Sequence, residues 1–270
     1  MDLSQANARG LVLLGCGKMG SALLKGWLAR GLQPGAVLVI EPRPSDWLQG
    51  TGVALNGPLP EAPAVVVLAV KPQMMGEVLP RIAGLAGLQT LFVSIAAGTS
   101  LARLAGHLGD AAAIVRAMPN TPAAIGRGIT ALIGNERVRT EQMELAEALM
   151  RAAGQTVRLQ DEAQMDAVTA VSGSGPAYVF HLIETLAEAG TRQGLPPEMA
   201  LQLACATVAG AGALAEAAEE DPGTLRENVT SPGGTTEAAL KVLMDRDAGF
   251  PALLPRAVAA AATRARELDQ

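Results

Sequence analysis

The eight residues LLGCGKMG, Leu13 to Gly20, restrict this chain more than any other stretch. An apolar run, GLVLLG, leads in and ends on Gly15, as expected of a strand buried on both faces. A helical pattern, MGSALLKGWLARG, leads out, with Leu23, Leu24, Trp27 and Leu28 as its apolar stripe and Gly31 as its stop. Between them the glycines are spaced Gly15-x-Gly17-x-x-Gly20. That spacing is weak by itself and strong between a strand and a helix. Gly15 permits the tight turn, Gly17 lets a pyrophosphate approach the backbone, and Gly20 allows the helix to press on the strand. The loop residues Cys16, Lys18 and Met19 then sit at a helix start, where free N–H groups and partial positive charge suit the phosphates of a dinucleotide.

Further candidate strands lie at 36–41, 64–70, 90–96, 112–118, 129–134 and 155–159, mostly alternating with helical or amphipathic patterns. The alternation implies βαβ units and a doubly wound α/β sheet of Rossmann type. Around residue 160 it stops. From there the pattern is Ala-rich and helical, broken at SGSGP, GLPP and TSPGG. The expectation is a dinucleotide-binding domain over 1–160 and an all-α domain over 161–270. No Ser/Gly-rich or Pro-rich linker separates them, so the two are expected to be held firmly together.

Composition excludes several classes. Hydrophobic residues make up 49% and charged residues 17% of the chain, ordinary values for a packed globular protein and not for a disordered one. A net charge of −5 argues against nucleic acid or an anionic membrane as partner. The most membrane-like run, Ala200–Ala218, carries Gln202, Thr207 and Glu216 and is read as a buried or subunit-interface helix. The start MDLSQANARG lacks the pattern of a signal peptide. Cys16 and Cys205 match neither a disulfide framework nor a metal site, which fits a reducing cytoplasm. No metal is expected; His107 and His181 have no companions at ligand spacing and are read as structural.

Glu41 closes the second strand, where an acid accepts hydrogen bonds from the adenosine ribose of NADH. Arg43, two residues on, suits the 2′-phosphate of NADPH instead. Either is equally readable as a solvated surface charge, and the preference stays open. At the same sheet edge fall LAVKPQ, with Ala69, Val70, Lys71 and Pro72, then SIAAG, with Ala96, Ala97 and Gly98, and RAMPNTPA. Three small or Pro-rich strand ends in register suggest a flat cofactor lying across them.

Taken in order, GCGKMG, AVKPQ, SIAAG, RAMPNTPA, AVSGSGPAY and VTSPGGTTEAAL resemble the Δ1-pyrroline-5-carboxylate reductase family across residues 10 to about 265. The resemblance implies a Rossmann domain followed by a helical domain that dimerises by interlocking helices, often in larger rings. It implies NADPH or NADH as cofactor and 1-pyrroline-5-carboxylate, reduced to proline, as substrate. It places Asn56 of VALNG near the adenosine end, and AVKP and AAG beside the ribose and nicotinamide. Cys16 and the segment EPRP depart from common family patterns, which touches phosphate preference and not the reaction.

The loop VTSPGGTT holds no strong acid, base or nucleophile, and a hydride transfer directed by a cofactor needs none. Successive N–H groups of Gly233, Gly234 and Thr235 form a candidate anion nest for a carboxylate, and Ser231 adds a hydroxyl. The resemblance brings Thr236 to the imine nitrogen as donor or relay of a proton. Ser172 and Ser174 of SGSGP are further substrate candidates. The bland reading makes both segments N-capped turns. Two other functions compete: a related imine or β-hydroxyacid dehydrogenase of the same architecture, and a non-catalytic dinucleotide-binding protein. A β-hydroxyacid dehydrogenase would rely on a helical-domain lysine as acid; Lys241 is the sole lysine after Lys71, and no matching motif surrounds it.

Overall fold

The structure is a computed structural model that describes residues 3–87 and 89–268. The chain divides into two compact units, Met1–Gly173 with Ala262–Gln270, and Ser174–Ala261. The division thus falls later than the change of period near 160. The reason lies in the intervening residues: Met165 and Ala170 are buried, and Glu162 is bonded to Arg116.

The first unit is an eight-stranded sheet in the order β3-β2-β1-β4-β5-β6-β7-β8. Its strands are β1 (Leu11–Leu14), β2 (Val37–Ile40), β3 (Ala54–Leu55), β4 (Val65–Leu68), β5 (Leu91–Ser94), β6 (Ala113–Met118), β7 (Gly128–Gly134) and β8 (Gly154–Arg158). Helices α1 (Ser4–Arg9), α2 (Lys18–Ala29), α3 (Asp46–Gln49), α4 (Met75–Val78), α5 (Leu101–Leu108), α6 (Thr140–Met150) and α7 (Gln164–Val168) complete it. All pairs are parallel except β6 with β7. That exception follows from the connection, a single 3₁₀ segment, Thr121–Ile125, in place of a crossover helix.

Alternate strand residues feed two separate cores, as a sheet covered on both faces requires. Leu11, Leu13, Val37, Val39, Val65 and Val67 join Trp27 of α2 and Leu145 and Leu149 of α6. Val12, Leu14, Leu38, Val66 and Leu68 join Met75, Leu79, Leu104 and Leu108 on the other side. The amphipathic stretch from Pro72 onward is a chain of short turns, not one helix: α4 is flanked by 3₁₀ segments Pro72–Met74, Leu79–Arg81 and Ala83–Leu85. Pro80, which lacks an N–H, together with Gly76 and Gly84, interrupts it.

The second unit contains α8 (Gly175–Arg192), α9 (Pro197–Ala217), α10 (Pro222–Asn228), α11 (Thr235–Leu243) and most of α12 (Phe250–Leu268). The short connection after α8 makes α8 and α9 an αα-hairpin, and Gly190 lets them close: a Cβ there would stand 3.3 Å from that of Ala200. In α9 only Ala200 and Ala204 are buried. The helix therefore is not buried within its own chain, which removes the buried-helix reading of this run and leaves the subunit-interface reading. By length and composition alone it is also apolar enough to cross a membrane.

Trp27 is fully buried and its indole N–H donates to the Leu149 carbonyl at 2.8 Å, tying α2 to the end of α6. Replacing Trp27 with Phe keeps most of the apolar contact and removes this bond, while the Arg151 N–H still reaches the Leu149 carbonyl. The expected cost is about 0.5–1.5 kcal/mol, read as a lower denaturant midpoint.

Candidate active site

Strand order reverses between β1 and β4, the place where open α/β sheets bind ligands beyond the carboxyl ends of their strands. There the turn after β1 is built from close contacts. Gly15 has φ 87°, and a Cβ on it would lie 2.8 Å from the Ala69 carbonyl oxygen. A Cβ on Gly20 would lie 2.5 Å from the Gly15 carbonyl oxygen. Packing alone thus accounts for both glycines. It does not account for Gly17, which has φ −68° and would present a Cβ to open space, with nothing within 4 Å. A bare backbone at an unstrained, uncrowded position fits a group that must come close from outside. The start of α2 has no side-chain cap, so its N–H groups are available to that group.

A cavity of about 600 Å³ opens at this point, lined by Gly15, Gly17, Glu41, Arg43, Ala69 and Lys71 among others, Val70 included. Cys16 lies beneath the loop. Its Sγ sits 3.4 Å from the Ser21 hydroxyl, and burial pushes the thiol pKa up, against a smaller lowering by that contact, which disfavours the reactive thiolate. Lys18 is exposed, Met19 half-buried and Pro72 half-buried at the rim.

Glu41 is held on every side. Its Oε2 accepts from the Cys16 N–H at 2.9 Å and its Oε1 from the Arg43 N–H at 3.1 Å. Asn56, in the left-handed region at φ 52°, clamps its backbone: Oδ1 accepts from the Glu41 N–H at 2.9 Å and Nδ2 donates to the Glu41 carbonyl at 3.0 Å. Asn tolerates that conformation better than most residues. Asn56 therefore acts through Glu41, and Glu41 braces the glycine loop, a connection between two motifs that spacing alone does not reveal.

Along the same edge, Ala96 and Gly98 are buried and Ala97 half-buried. Gly98 has φ 64°, and a Cβ there would meet Leu268 at 2.7 Å. Beyond β6, Asn120 accepts from the Ile129 N–H at 3.0 Å and donates to the Ser172 hydroxyl and carbonyl at 3.3 and 3.4 Å. Ser172 lies in a π-helical turn, Thr169–Gly173, a local irregularity often found at functional sites. Behind these, buried Arg116 donates to Glu162 Oε1 at 2.8 Å, which also accepts from the Leu101 N–H at 2.8 Å. Asn120 and Arg116 belong to the motif RAMPNTPA, whereas Glu162 lies outside every motif, and spacing alone does not reveal the bonds that join them to Ser172 and to each other.

In the second unit, Ser174 precedes α8 and makes no side-chain cap. The loop before α11 is compact: Gly233 has φ 70°, and the Gly234 N–H closes a turn onto the Ser231 carbonyl at 3.0 Å. The Gly233 N–H donates to Glu237 Oε2 at 2.6 Å. That leaves the Thr235, Thr236 and Glu237 N–H groups, in the first turn of α11, without acceptors among the described residues. Thr236 is half-buried and Thr235 exposed. Among the described residues no three His, Cys, Asp or Glu side chains gather as a metal site would require. His181 is an exposed partner of Glu184 at 3.1 Å.

The family described as pyrroline-5-carboxylate reductase dimerisation matches residues 162–268, and that of NADP oxidoreductase, coenzyme F420-dependent, matches residues 10–98. The chain is 40% identical to the pyrroline-5-carboxylate reductase of Pseudomonas aeruginosa over 266 residues, covering 96% of this chain and 97% of that one. Among solved structures it is similar to a pyrroline-5-carboxylate reductase from Coxiella burnetii, with 37% identity and a TM-score of 0.91 over 98% of this chain and all of that one. A Plasmodium falciparum pyrroline carboxylate reductase solved with NADP bound has 28% identity and a TM-score of 0.86, over 98% and 99% of the two chains.

This chain belongs to the pyrroline-5-carboxylate reductase family. It is an NAD(P)H-dependent oxidoreductase of proline biosynthesis that reduces a cyclic imine, and its C-terminal region is a dimerisation unit, so the reductase is a homo-oligomer. Gly20→Ala is expected to drive a methyl group into the Gly15 carbonyl and to raise the dissociation constant for the dinucleotide by about tenfold or more, measured by quenching of protein fluorescence.

Proposed function

We propose that the reductase holds the pyrophosphate of its cofactor on the turn Gly15–Gly20 and the adenosine end beside Glu41, Arg43 and Asn56. The ribose and nicotinamide then follow Ala69, Val70, Lys71 and Pro72 and the segment Ala96, Ala97 and Gly98. The observation that carries this reading is Gly17, the one glycine of the turn whose missing side chain no protein atom explains. NADPH and NADH both remain cofactors in this reading; the NADP bound to the Plasmodium relative supports the former, and the braced Glu41 carboxylate suits the ribose hydroxyls of the latter.

The reduced nicotinamide supplies a hydride to the imine carbon of 1-pyrroline-5-carboxylate, and the ring nitrogen takes a proton, giving L-proline. The residues that hold the substrate are Ser231, Gly233, Gly234, Thr235 and Thr236, with Ser172 and Ser174. Three backbone N–H groups without acceptors among the described residues, at the positive end of the nine-residue helix α11, support this loop as the seat of the carboxylate. Thr236 supplies its hydroxyl to the imine nitrogen as proton donor or relay, and an imine that arrives protonated needs only orientation there. The assembly unit in this reading is a homodimer built from the helices of the second unit, in the cytoplasm, where Cys16 and Cys205 stay free thiols. Neither nucleic acid nor a membrane is a partner at a net charge of −5.

Thr236→Ala is expected to lower kcat by about tenfold to a hundredfold while cofactor affinity stays unchanged. Thr236→Ser, which keeps the hydroxyl, is expected to recover most of the loss. An unaltered kcat in the alanine variant removes Thr236 from the mechanism.

A further inference from the structure

Glu237 has no part in the chemistry above, yet it occupies the loop that the substrate carboxylate needs. We propose that Glu237 is an internal stand-in for that carboxylate: it takes the Gly233 amide when the site is empty and must give it up for substrate to bind. The inference rests on the reading of this loop as the carboxylate seat.

Three observations carry it. The Gly233 N–H donates to Glu237 Oε2 at 2.6 Å, so a carboxylate already fills one position of the candidate nest. Gly234, the N-cap residue of α11, has no side chain to offer the helix start, so no side-chain cap competes with a carboxylate there. Glu237 Oε1 also lies 4.0 Å from Lys241 Nζ, one turn along the same helix, which gives the displaced carboxylate a place to go. A substrate carboxylate offered to Thr235 and Thr236 would otherwise stand beside a like charge on Gly233, and one amide hydrogen cannot serve both anions fully. Glu237 therefore lowers the affinity for every ligand that carries the acid group and leaves ligands without it unaffected. If the Gly233 amide is open in about a third of the molecules, the apparent constant is about threefold weaker than the intrinsic one.

The test compares the full chain with Glu237→Ala and Glu237→Gln, using initial rates at saturating NADPH. The quantities are KM for the imine and the inhibition constants of L-proline and of pyrrolidine, the same ring without its carboxylate. Expected is a fall of about threefold or more in KM and in the proline constant for Glu237→Ala, a smaller fall for Glu237→Gln, and no change for pyrrolidine. Lys241→Met is expected to move the proline constant the opposite way. Should both Glu237 variants leave proline inhibition unchanged or weaker while the parent still prefers proline to pyrrolidine, Glu237 is a loop brace and the proposal fails alone. Equal inhibition of the parent by proline and pyrrolidine would remove the carboxylate seat itself, and the proposal with it. Glu237→Gln keeps the shape of the side chain, so the comparison survives if the alanine variant does not fold.

Discussion

The contact on which the first unit depends is the approach of the start of α2 to the strand turn beneath it. Gly20 sits against the Gly15 carbonyl, and Gly15 against the Ala69 carbonyl, so helix, turn and β4 meet with no room for a single methyl group. That closeness fixes where α2 leaves the sheet and hence how Trp27 reaches Leu149. It also aims the free N–H groups of α2 into the crevice where strand order reverses. The cavity at this edge is a consequence of packing that the glycines permit. Only Gly17 of the three has no packing contact to explain it.

How much of this could be read from the residues depends on what kind of contact was involved. The strands with continuous Val and Leu runs were legible, because burial on both faces leaves no other composition. Ala54–Leu55 was not, since two residues carry no period. The antiparallel turn of β7 was not either: it depends on the shortness of Thr121–Ile125, and a reading based on alternation expects a helix there. Motifs showed which loops gather at the sheet edge. They did not show that Asn56 acts through Glu41, or that Glu162 neutralises Arg116 while capping α5, because those bonds join residues 15 and 46 positions apart. Glu237 lies within a quoted motif, but a glutamate in the first turn of a helix is also ordinary dipole compensation, and spacing alone does not show its bond to the Gly233 N–H.

The carboxylates on either side of the loop before α11 and its helix are engaged in local bonds. Asp221 caps α10, accepting from the Thr224 hydroxyl and the Gly223 and Thr224 N–H groups, and those bonds hold its pKa below the usual carboxylate range, the Thr224 hydroxyl most of all. Asp245 is lowered in the same way by the Ala248 and Asp247 N–H groups just past α11. Both carboxylates are thus committed to backbone and hydroxyl donors of their own turns. They hold the ends of the segment while its middle offers hydroxyl and amide groups. A reaction whose electrons come from a cofactor can use such a loop, because what it lacks is orientation and not acid strength.

The second unit shows why this reductase is an oligomer. Phe180, Leu182 and Leu186 of α8 and Met199, Leu201 and Leu203 of α9 are all exposed in the single chain. An αα-hairpin that buries little besides Ala200 and Ala204 gains too little from its own packing to offset the entropy of ordering two long helices. Its apolar surface has to be covered. A bilayer is a poor cover, since α9 carries Gln202, Thr207 and Glu216 and is dominated by Ala and Gly. The same small residues, Gly210 and Gly212 with open space at their Cβ positions, let another helix come close. A second copy of the chain brings surfaces of this kind, which is the chemistry a dimerisation unit needs.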